Sequence, residues 1–205
     1  MLTFYTNPQS RGRIARWMLE ETGAPYSEVV LPFGAPMRTP EFLALNPMGK
    51  VPVIVHEGRV VTECAAICAY LADAFPDRHL APPPGVGRAA YYRWLFFAAG
   101  PLEAAVTNQA LKAAPTDAQK GFVGYRDFDT TLATLEKAVS DAPHVAGDHF
   151  SAADVYVGSQ IGWGMMFGSL PKSPALSAYW DRLKDRPARL RAAARDEASG
   201  ERKDG

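Results

Sequence analysis

The sequence has few cysteines, no excess of charge of either sign and no long hydrophobic run. Its 205 residues include 22 Lys and Arg against 22 Asp and Glu, so the formal net charge is zero. A neutral balance argues against a nucleic-acid-binding module, because such modules depend on basic side chains facing phosphates. No apolar run approaches the roughly 18 to 20 residues that a transmembrane helix needs. We therefore expect neither nucleic acid nor a membrane as a partner.

Cysteine usage favours a reducing compartment. Cys64 and Cys68 are too few for the disulfide framework of a small secreted protein. The first residues lack the basic segment and the small-residue cleavage site of a secretory signal. We therefore expect a cytoplasmic protein. Hydrophobic residues make up 47% of the chain, which is typical of a globular protein with a sizeable core.

A proline-rich stretch divides the chain. Residues 77–87 contain three consecutive prolines and a glycine (82–85), which fit neither a helix nor a strand, and we predict a linker there. Residues 1–76 alternate strands and helices in the order β-α-β-(short helix)-β-β-α. Residues 88–195 are predicted to be all helical, and residues 196–205 to form a frayed polar tail. The expected fold class is α/β followed by all-α.

Hydrophobic periodicity and end signals predict the individual helices. Residues 10–22 carry apolar side chains at helical spacing, and Gly23 follows as a stop. Residues 88–113 form a long helix that bends at Gly100-Pro101. The later predicted helices cover residues 122–140, 152–167, 176–183 and 187–194.

The helix from residue 152 begins with a capping signal. Ser151 stands at the N-cap position and Asp154 three residues later, where each side chain can accept from a free backbone N–H of the first turn. Such a cap stabilises a helix by about 1 kcal/mol. Asp154 is therefore predicted to serve stability rather than catalysis.

Several segments together resemble the soluble glutathione S-transferases of bacterial type. The segments Asn46–Ile54 and Thr62–Ile67, together with the opening from Tyr5 to Arg11, look like the glutathione-binding half of that family. Phe150–Asp154 matches its capped core helix, and the resemblance spans nearly the whole chain. It implies a thioredoxin-like N-terminal domain of residues 1–76, an all-helical C-terminal domain, glutathione as co-substrate and a homodimer.

The chemistry of such an enzyme requires a group that stabilises the glutathione thiolate. A free thiol has a pKa of about 8.5, and a hydrogen bond to a charged group contributes about 1.5 to 3 kcal/mol. One hydroxyl at the start of the first helix is therefore about sufficient. Ser10 stands there, and the resemblance makes it the candidate catalytic donor, although serine at such a position also commonly caps a helix. Tyr5 is the rival hydroxyl, because some classes of the family use a tyrosine near the first strand.

Four residues form the first part of the glutathione site that the resemblance implies. The Val51-Pro52 bond would be trans on sequence statistics alone. The resemblance instead implies a cis bond, with the backbone of Val51 pairing with the cysteinyl part of glutathione as an added strand would. Lys50 is a candidate partner of the glycyl carboxylate, or alternatively a solvated lysine. Phe33 is assigned to the same site.

Glu63 and Cys64 open the next helix and complete that site. A helix N-terminus suits the α-carboxylate of the γ-glutamyl group, and Glu63 can face the adjacent ammonium. Cys64 stands where the family has a serine, so a good hydroxyl donor is replaced by a weak thiol donor. Cys64 is alternatively redox-active, and Cys68 one turn later is expected to be a core residue.

The electrophile site is expected between the two domains, against the C-terminal helices. The apolar candidates there, besides Phe33, are Phe97, Val106, Trp163, Met166 and Phe167. The four histidines lack metal-ligand partners in the sequence, and no metal is predicted.

The leading hypothesis is a glutathione transferase that conjugates the thiolate to hydrophobic electrophiles, as in detoxification. One alternative is a binding or regulatory protein that keeps the fold without the chemistry, which the replacement at Cys64 favours. Another is a glutathione-dependent peroxidase or isomerase that shares the site.

Overall fold

A computed structural model describes residues 1–201 of the chain, which form two compact units. Of the described residues, the first unit contains 1–80 and 185–201, and the second contains 81–184. The division falls inside the stretch predicted as a linker, but the C-terminal segment groups with the first unit instead of the helical domain. Within the predicted polar tail, residues 196–201 are helical, and residues 202–205 lie outside the described part of the chain.

The first unit contains a four-stranded mixed sheet. Its elements up to residue 74 are β1 (Leu2–Thr6), α1 (Gly12–Thr22), β2 (Ser27–Val30), α2 (Pro40–Leu45), β3 (Val53–His56), β4 (Arg59–Val61) and α3 (Cys64–Ala74). The strand order is β2-β1-β3-β4, with β1 parallel to β2 and antiparallel to β3. This is the thioredoxin-like arrangement, and the predicted order of elements is confirmed.

The register of the sheet determines which loops meet. Tyr5 of β1 lies opposite Val53 of β3 in an antiparallel pair. Because the two strands run in opposite directions, Val51 and Pro52, which precede β3, lie beside the residues that follow β1. The loop after the first strand and the proline turn before the third strand therefore share one end of the sheet.

The second unit is helical in its described regular elements. These are α4 (Arg88–Phe97), α5 (Glu103–Ala110), α6 (Phe128–Ser140), α7 (Ala152–Phe167) and α8 (Pro174–Leu183). The predicted bend is a π-helical turn, Ala98–Leu102, which contains Pro101 and separates α4 from α5. The start predicted for α6, residue 122, is wrong. Asp127 accepts a hydrogen bond from the Thr130 N–H at 2.8 Å and begins the helix there.

The capping box of α7 is confirmed. The Asp154 carboxylate accepts from the N–H of Ser151 at 2.9 Å, and the Ser151 hydroxyl accepts from the N–H of Ala153 at 3.3 Å. The same carboxylate accepts from the N–H of Val145 at 2.9 Å and from the Tyr179 hydroxyl at 2.6 Å. Asp154 is fully buried, and its hydrogen bonds inside the second unit fix the start of the central helix.

A buried ion pair attaches the last helix, α9 (Pro187–Glu201), to α1. The Arg16 side chain is fully buried and donates to Asp196 Oδ1 and Glu28 Oε2, each at 2.7 Å. Burial lowers the pKa of Arg16, but the bonds and charges of Glu28 and Asp196 outweigh that effect and raise it above the ordinary value. The guanidinium therefore stays charged inside the first unit.

Arg16→Met is predicted to lower the free energy of unfolding by about 3 to 5 kcal/mol, because it removes the hydrogen-bonded partner of the buried Asp196 carboxylate and leaves only Arg13 at 3.8 Å. Denaturant unfolding measures the change. Lys137→Met is the control, because it breaks a solvent-exposed pair with Asp141 and should cost less than about 1 kcal/mol. The double variant Arg16→Met/Asp196→Leu should be more stable than Arg16→Met alone, because it leaves no buried carboxylate without its hydrogen-bonded partner. If Arg16→Met and Lys137→Met lower the free energy of unfolding by the same small amount, the buried ion pair does not hold α9 in place.

Candidate active site

Asn7 shapes the loop that joins β1 to α1. Its side-chain Oδ1 accepts from the Gln9 N–H at 2.9 Å, and its Nδ2 donates to the Leu31 carbonyl at 2.8 Å. The Asn7 carbonyl also accepts from the Ser10 N–H at 3.0 Å. Sequence reasoning missed this residue, although the Asn-Pro dipeptide at positions 7 and 8 is a turn signal that points to it.

The Ser10 hydroxyl lies at the entrance to α1, which begins at Gly12 rather than at Ser10 itself. Its oxygen accepts from the Gly12 N–H at 2.9 Å, and its proton is donated to the Asn7 carbonyl at 2.7 Å. The side chain is half-buried. The N-cap position of α1 is Arg11, which makes no side-chain cap bond, so Ser10 lies one residue before the cap and bonds the first helical N–H. The same hydroxyl can also turn its proton to a ligand, because the Gly12 contact uses only the oxygen.

Gly12 allows the first turn of α1 to approach the end of β1 closely. A Cβ atom at this position would lie 2.0 Å from Thr6 Oγ1, 3.0 Å from Ser10 Oγ and 3.2 Å from the Asn7 carbonyl oxygen. Any side chain would therefore push the first turn of the helix away from the strand. The position of the Ser10 hydroxyl depends on this glycine.

The turn before β3 contains a cis Val51-Pro52 peptide bond, as the resemblance implied. Asn46 Nδ2 donates to the Lys50 carbonyl at 2.8 Å, and this hydrogen bond fixes the backbone just before the turn. Val51 is half-buried and packs against the cluster of Met37, Phe42 and Val53. Lys50 is exposed, so its ammonium is accessible to a ligand at this end of the sheet.

The start of α3 lies next to the residue that follows Ser10. The Cys64 thiol donates to the Arg11 carbonyl across 3.6 Å. Glu63, immediately before the helix, has a left-handed backbone with φ of 61° and an exposed side chain. Such a conformation costs a non-glycine residue about 1 to 3 kcal/mol and is enriched at functional sites. The α3 N-terminus therefore belongs to the same end of the sheet as Ser10.

The two cysteines lie on one face of α3, one turn apart. Cys64 is 8% exposed and Cys68 is fully buried, and neither forms a disulfide. A hydrogen bond with Cys64, together with burial, raises the pKa of the Cys68 thiol well above its ordinary value. Cys68 is accordingly a protonated core residue.

The other predicted site residues are Tyr5 and Phe33 in the first unit and five apolar residues in the second unit. The Tyr5 ring contacts the Phe42 ring at 6.0 Å between centroids, and Phe33 is 56% exposed in the loop after β2. Phe97 is on α4 and Val106 on α5, both half-buried. The remaining predicted pocket residues are all on α7, namely half-buried Trp163 and exposed Met166 and Phe167.

Within residues 1–201, no group of three or more His, Cys, Asp or Glu side chains is arranged to hold a metal ion. The absence of a metal from the chemistry remains a prediction. No helix of the described chain is both long enough and apolar enough to cross a bilayer.

Comparison with known proteins identifies relatives of this chain. Residues 11–74 match the family model described as glutathione S-transferase, N-terminal domain. The chain is 28% identical over 150 residues to the glutathione S-transferase GstA of Escherichia coli, covering 72% of this chain and 74% of GstA. It is 27% identical over 220 residues to the disulfide-bond oxidoreductase YfcG of Escherichia coli, with both chains covered in full. The solved structure of a sphingomonad glutathione S-transferase complexed with glutathione is 28% identical, with a TM-score of 0.76 over 95% of this chain and 98% of that one.

These matches confirm the family resemblance and the fold class. The chain resembles the soluble glutathione S-transferases in sequence as well as in structure. The enzyme class that the comparisons support is glutathione transferase, as predicted from the sequence.

Gly12→Ala is predicted to lower the free energy of unfolding by about 1 to 3 kcal/mol, the usual cost of overpacking. The loss should appear although alanine is the better helix former by about 1 kcal/mol. Thermal or denaturant unfolding measures it. Gly100→Ala is the matched control, since nothing lies within 4 Å of the added Cβ there. If both variants are equally stable, the close contact between α1 and β1 is not a constraint.

Proposed function

We propose that this protein is a cytoplasmic, homodimeric glutathione transferase. Ser10 donates a hydrogen bond to the thiolate of bound glutathione, and the sulfur attacks an electrophilic carbon of a hydrophobic co-substrate. One observation carries the proposal. The Ser10 hydroxyl, the turn before cis-Pro52 and the start of α3 share one end of the sheet. The homodimer and the compartment rest on the family resemblance and on the composition.

The backbone supplies much of the proposed binding of glutathione. The N–H and C=O of Val51 extend the sheet by pairing with the cysteinyl residue, which directs its sulfur toward Ser10. Lys50 pairs with the glycyl carboxylate. The solved sphingomonad relative is a complex with glutathione, which supports the same ligand for this chain.

The γ-glutamyl end of the ligand is assigned to the start of α3. Its α-carboxylate accepts from the free backbone N–H groups of the first turn, where the helix dipole favours an anion. Glu63 is exposed there and faces the ligand ammonium. Cys64 contributes a weak donor in place of the family's serine, so the backbone groups supply most of the binding at this end.

The electrophile is proposed to contact apolar side chains that are accessible to solvent. In the second unit, Met166 and Phe167 are each more than half exposed, and Phe97, Val106 and Trp163 are half-buried. Contiguous exposed apolar patches mark ligand-binding surfaces, and Met166 and Phe167 are adjacent at the end of α7. A hydrophobic aryl or alkyl halide is therefore the substrate class proposed.

A panel of substrates distinguishes the candidate activities. Conjugation of a chloronitrobenzene identifies the transferase, and consumption of a hydroperoxide or a maleyl compound without aryl conjugation identifies the peroxidase or isomerase. A disulfide substrate belongs in the panel because a full-length relative is a disulfide-bond oxidoreductase. Retention on immobilised glutathione with no turnover of any substrate would favour the binding protein.

Ser10→Ala is predicted to raise the pKa of the bound glutathione thiol by about one to two units, since it removes a hydrogen bond to the anion. Turnover at neutral pH should fall about 10- to 100-fold, while the dissociation constant of glutathione changes little. The ultraviolet absorbance of the thiolate, followed against pH in the binary complex, measures the pKa.

Tyr5→Phe is the control for the rival hydroxyl. The pKa of the glutathione thiol bound to this variant should match the value in the unmodified protein. If the pKa of the bound glutathione thiol rises in Tyr5→Phe and not in Ser10→Ala, Tyr5 rather than Ser10 is the donor to the thiolate. Unfolding measurements on both variants show whether loss of the hydrogen bond from the Gly12 N–H to Ser10 Oγ affects stability.

A further inference from the structure

A polar cluster lies among the apolar residues of the second unit. Gln160 Nε2 on α7 donates to Glu103 Oε2 on α5 at 3.4 Å and to the Tyr156 hydroxyl oxygen at 3.3 Å. Tyr156 is 5% exposed, and Glu103 and Gln160 are half-buried. Taking such groups out of water costs free energy that an apolar contact would not. Packing alone does not require a carboxylate and an amide at these positions, so the cluster calls for a function.

Helical spacing places the cluster at one end of the surface proposed for the electrophile. Four residues share one face of α7 because they stand at positions i, i+4, i+7 and i+11, and they are Tyr156, Gln160, Trp163 and Phe167. Exposure rises along this face toward Phe167, which is 75% exposed. On α5, Glu103 stands one turn before Val106. The cluster is therefore the buried, polar end of a mostly apolar surface, where a few polar groups can fix the orientation of a ligand.

The two hydrogen bonds determine how the Gln160 amide is oriented. An ionised carboxylate only accepts, so the group that faces Glu103 is the amide NH2 and not the amide oxygen. Both N–H bonds of Nε2 are then used, one for Glu103 and one for Tyr156. Within residues 1–201, no group donates a hydrogen bond to Gln160 Oε1. The amide oxygen therefore keeps its acceptor capacity for a ligand.

We propose that Gln160 is a specificity-determining residue for the co-substrate. Its Oε1 accepts a hydrogen bond from an N–H or O–H group of the electrophile, and Glu103 and Tyr156 are positioning residues that hold the amide in this orientation. The charge of Glu103 disfavours a co-substrate that carries a carboxylate or sulfonate at the same place. The inference rests on the proposed function and narrows its co-substrate to apolar electrophiles with a hydrogen-bond donor.

The test uses three co-substrates that share one reacting carbon, namely the primary amide, the methyl ester and the free acid of a chloronitrobenzoic acid. Each kcat/KM is divided by the uncatalysed rate with glutathione, which removes differences in intrinsic reactivity. The amide has an N–H donor and the ester has none. The unmodified protein should therefore favour the amide about 2- to 10-fold, the effect of one hydrogen bond. The free acid, an anion at neutral pH, should be the poorest of the three.

Two variants separate the acceptor from the charge. Gln160→Met keeps the length of the side chain and removes the amide oxygen, so the amide-to-ester ratio should fall close to one. Glu103→Gln removes the charge and should raise the turnover of the free acid relative to the ester about 2- to 10-fold. Gln109→Met is the control, because it makes the same substitution at an exposed position of α5, and it should change neither ratio. The glutathione dissociation constant and denaturant unfolding show that each variant is folded.

The outcomes distinguish this inference from the proposed function. An amide-to-ester ratio near one in the unmodified protein, or a ratio that Gln160→Met leaves unchanged, would overturn the inference while the transferase function stands. An equal fall of the ratio in Gln109→Met would also remove Gln160 from the role. If none of the three compounds is conjugated although glutathione binds, the proposed function fails, and this inference fails with it.

Discussion

The close contact between the start of α1 and the end of β1 is the constraint on which the site depends. A glycine at position 12 lets the backbone of the helix lie against the side chain of Thr6, with no room for a Cβ atom. This contact fixes the height of the first helical turn above the sheet. The hydroxyl of Ser10, bonded to that turn, is thereby placed at the edge where the proline turn and the start of α3 also lie.

The proposed site relies on backbone geometry more than on charged side chains. An extended segment before Pro52 and the first turn of α3 offer N–H and C=O groups whose positions are fixed by the fold. A backbone donor does not depend on residue type. The presence of Cys64, where the resembled family has a serine, therefore leaves the backbone donors of the proposed site in place. The charged groups Lys50 and Glu63 are exposed, and their contributions are reduced by solvent and salt.

Much of the fold could be predicted from the sequence, because hydrophobic periodicity and end signals report local structure. The alternation of β1, the stop at Gly23 and the cap at Ser151 all correspond to observed features. The predicted frayed tail was wrong for residues 196–201 for a physical reason. Polar Asp196 and Ser199 are buried against Arg16 and Glu28, and no periodicity of apolar residues reveals a helix held by a buried ion pair.

The site was predictable only in part. The residues Ser10, Val51 and Cys64 could be proposed from the sequence because the family resemblance and the position before a helix or a proline mark them. Thr6 and Asn7 were missed, because their importance lies in distances of a few ångströms to residues that only the folded chain brings close. A threonine at the end of a strand has no sequence signal that separates a side chain against which a helix packs from an ordinary β-former.

The most direct test of the central claim is a crystal structure of the protein soaked in glutathione. The account predicts that the ligand lies along the turn before Pro52, with its sulfur within hydrogen-bond distance of Ser10 Oγ. A sulfur bonded to the Tyr5 hydroxyl, or a crystal that takes up no glutathione at millimolar concentration, would contradict it.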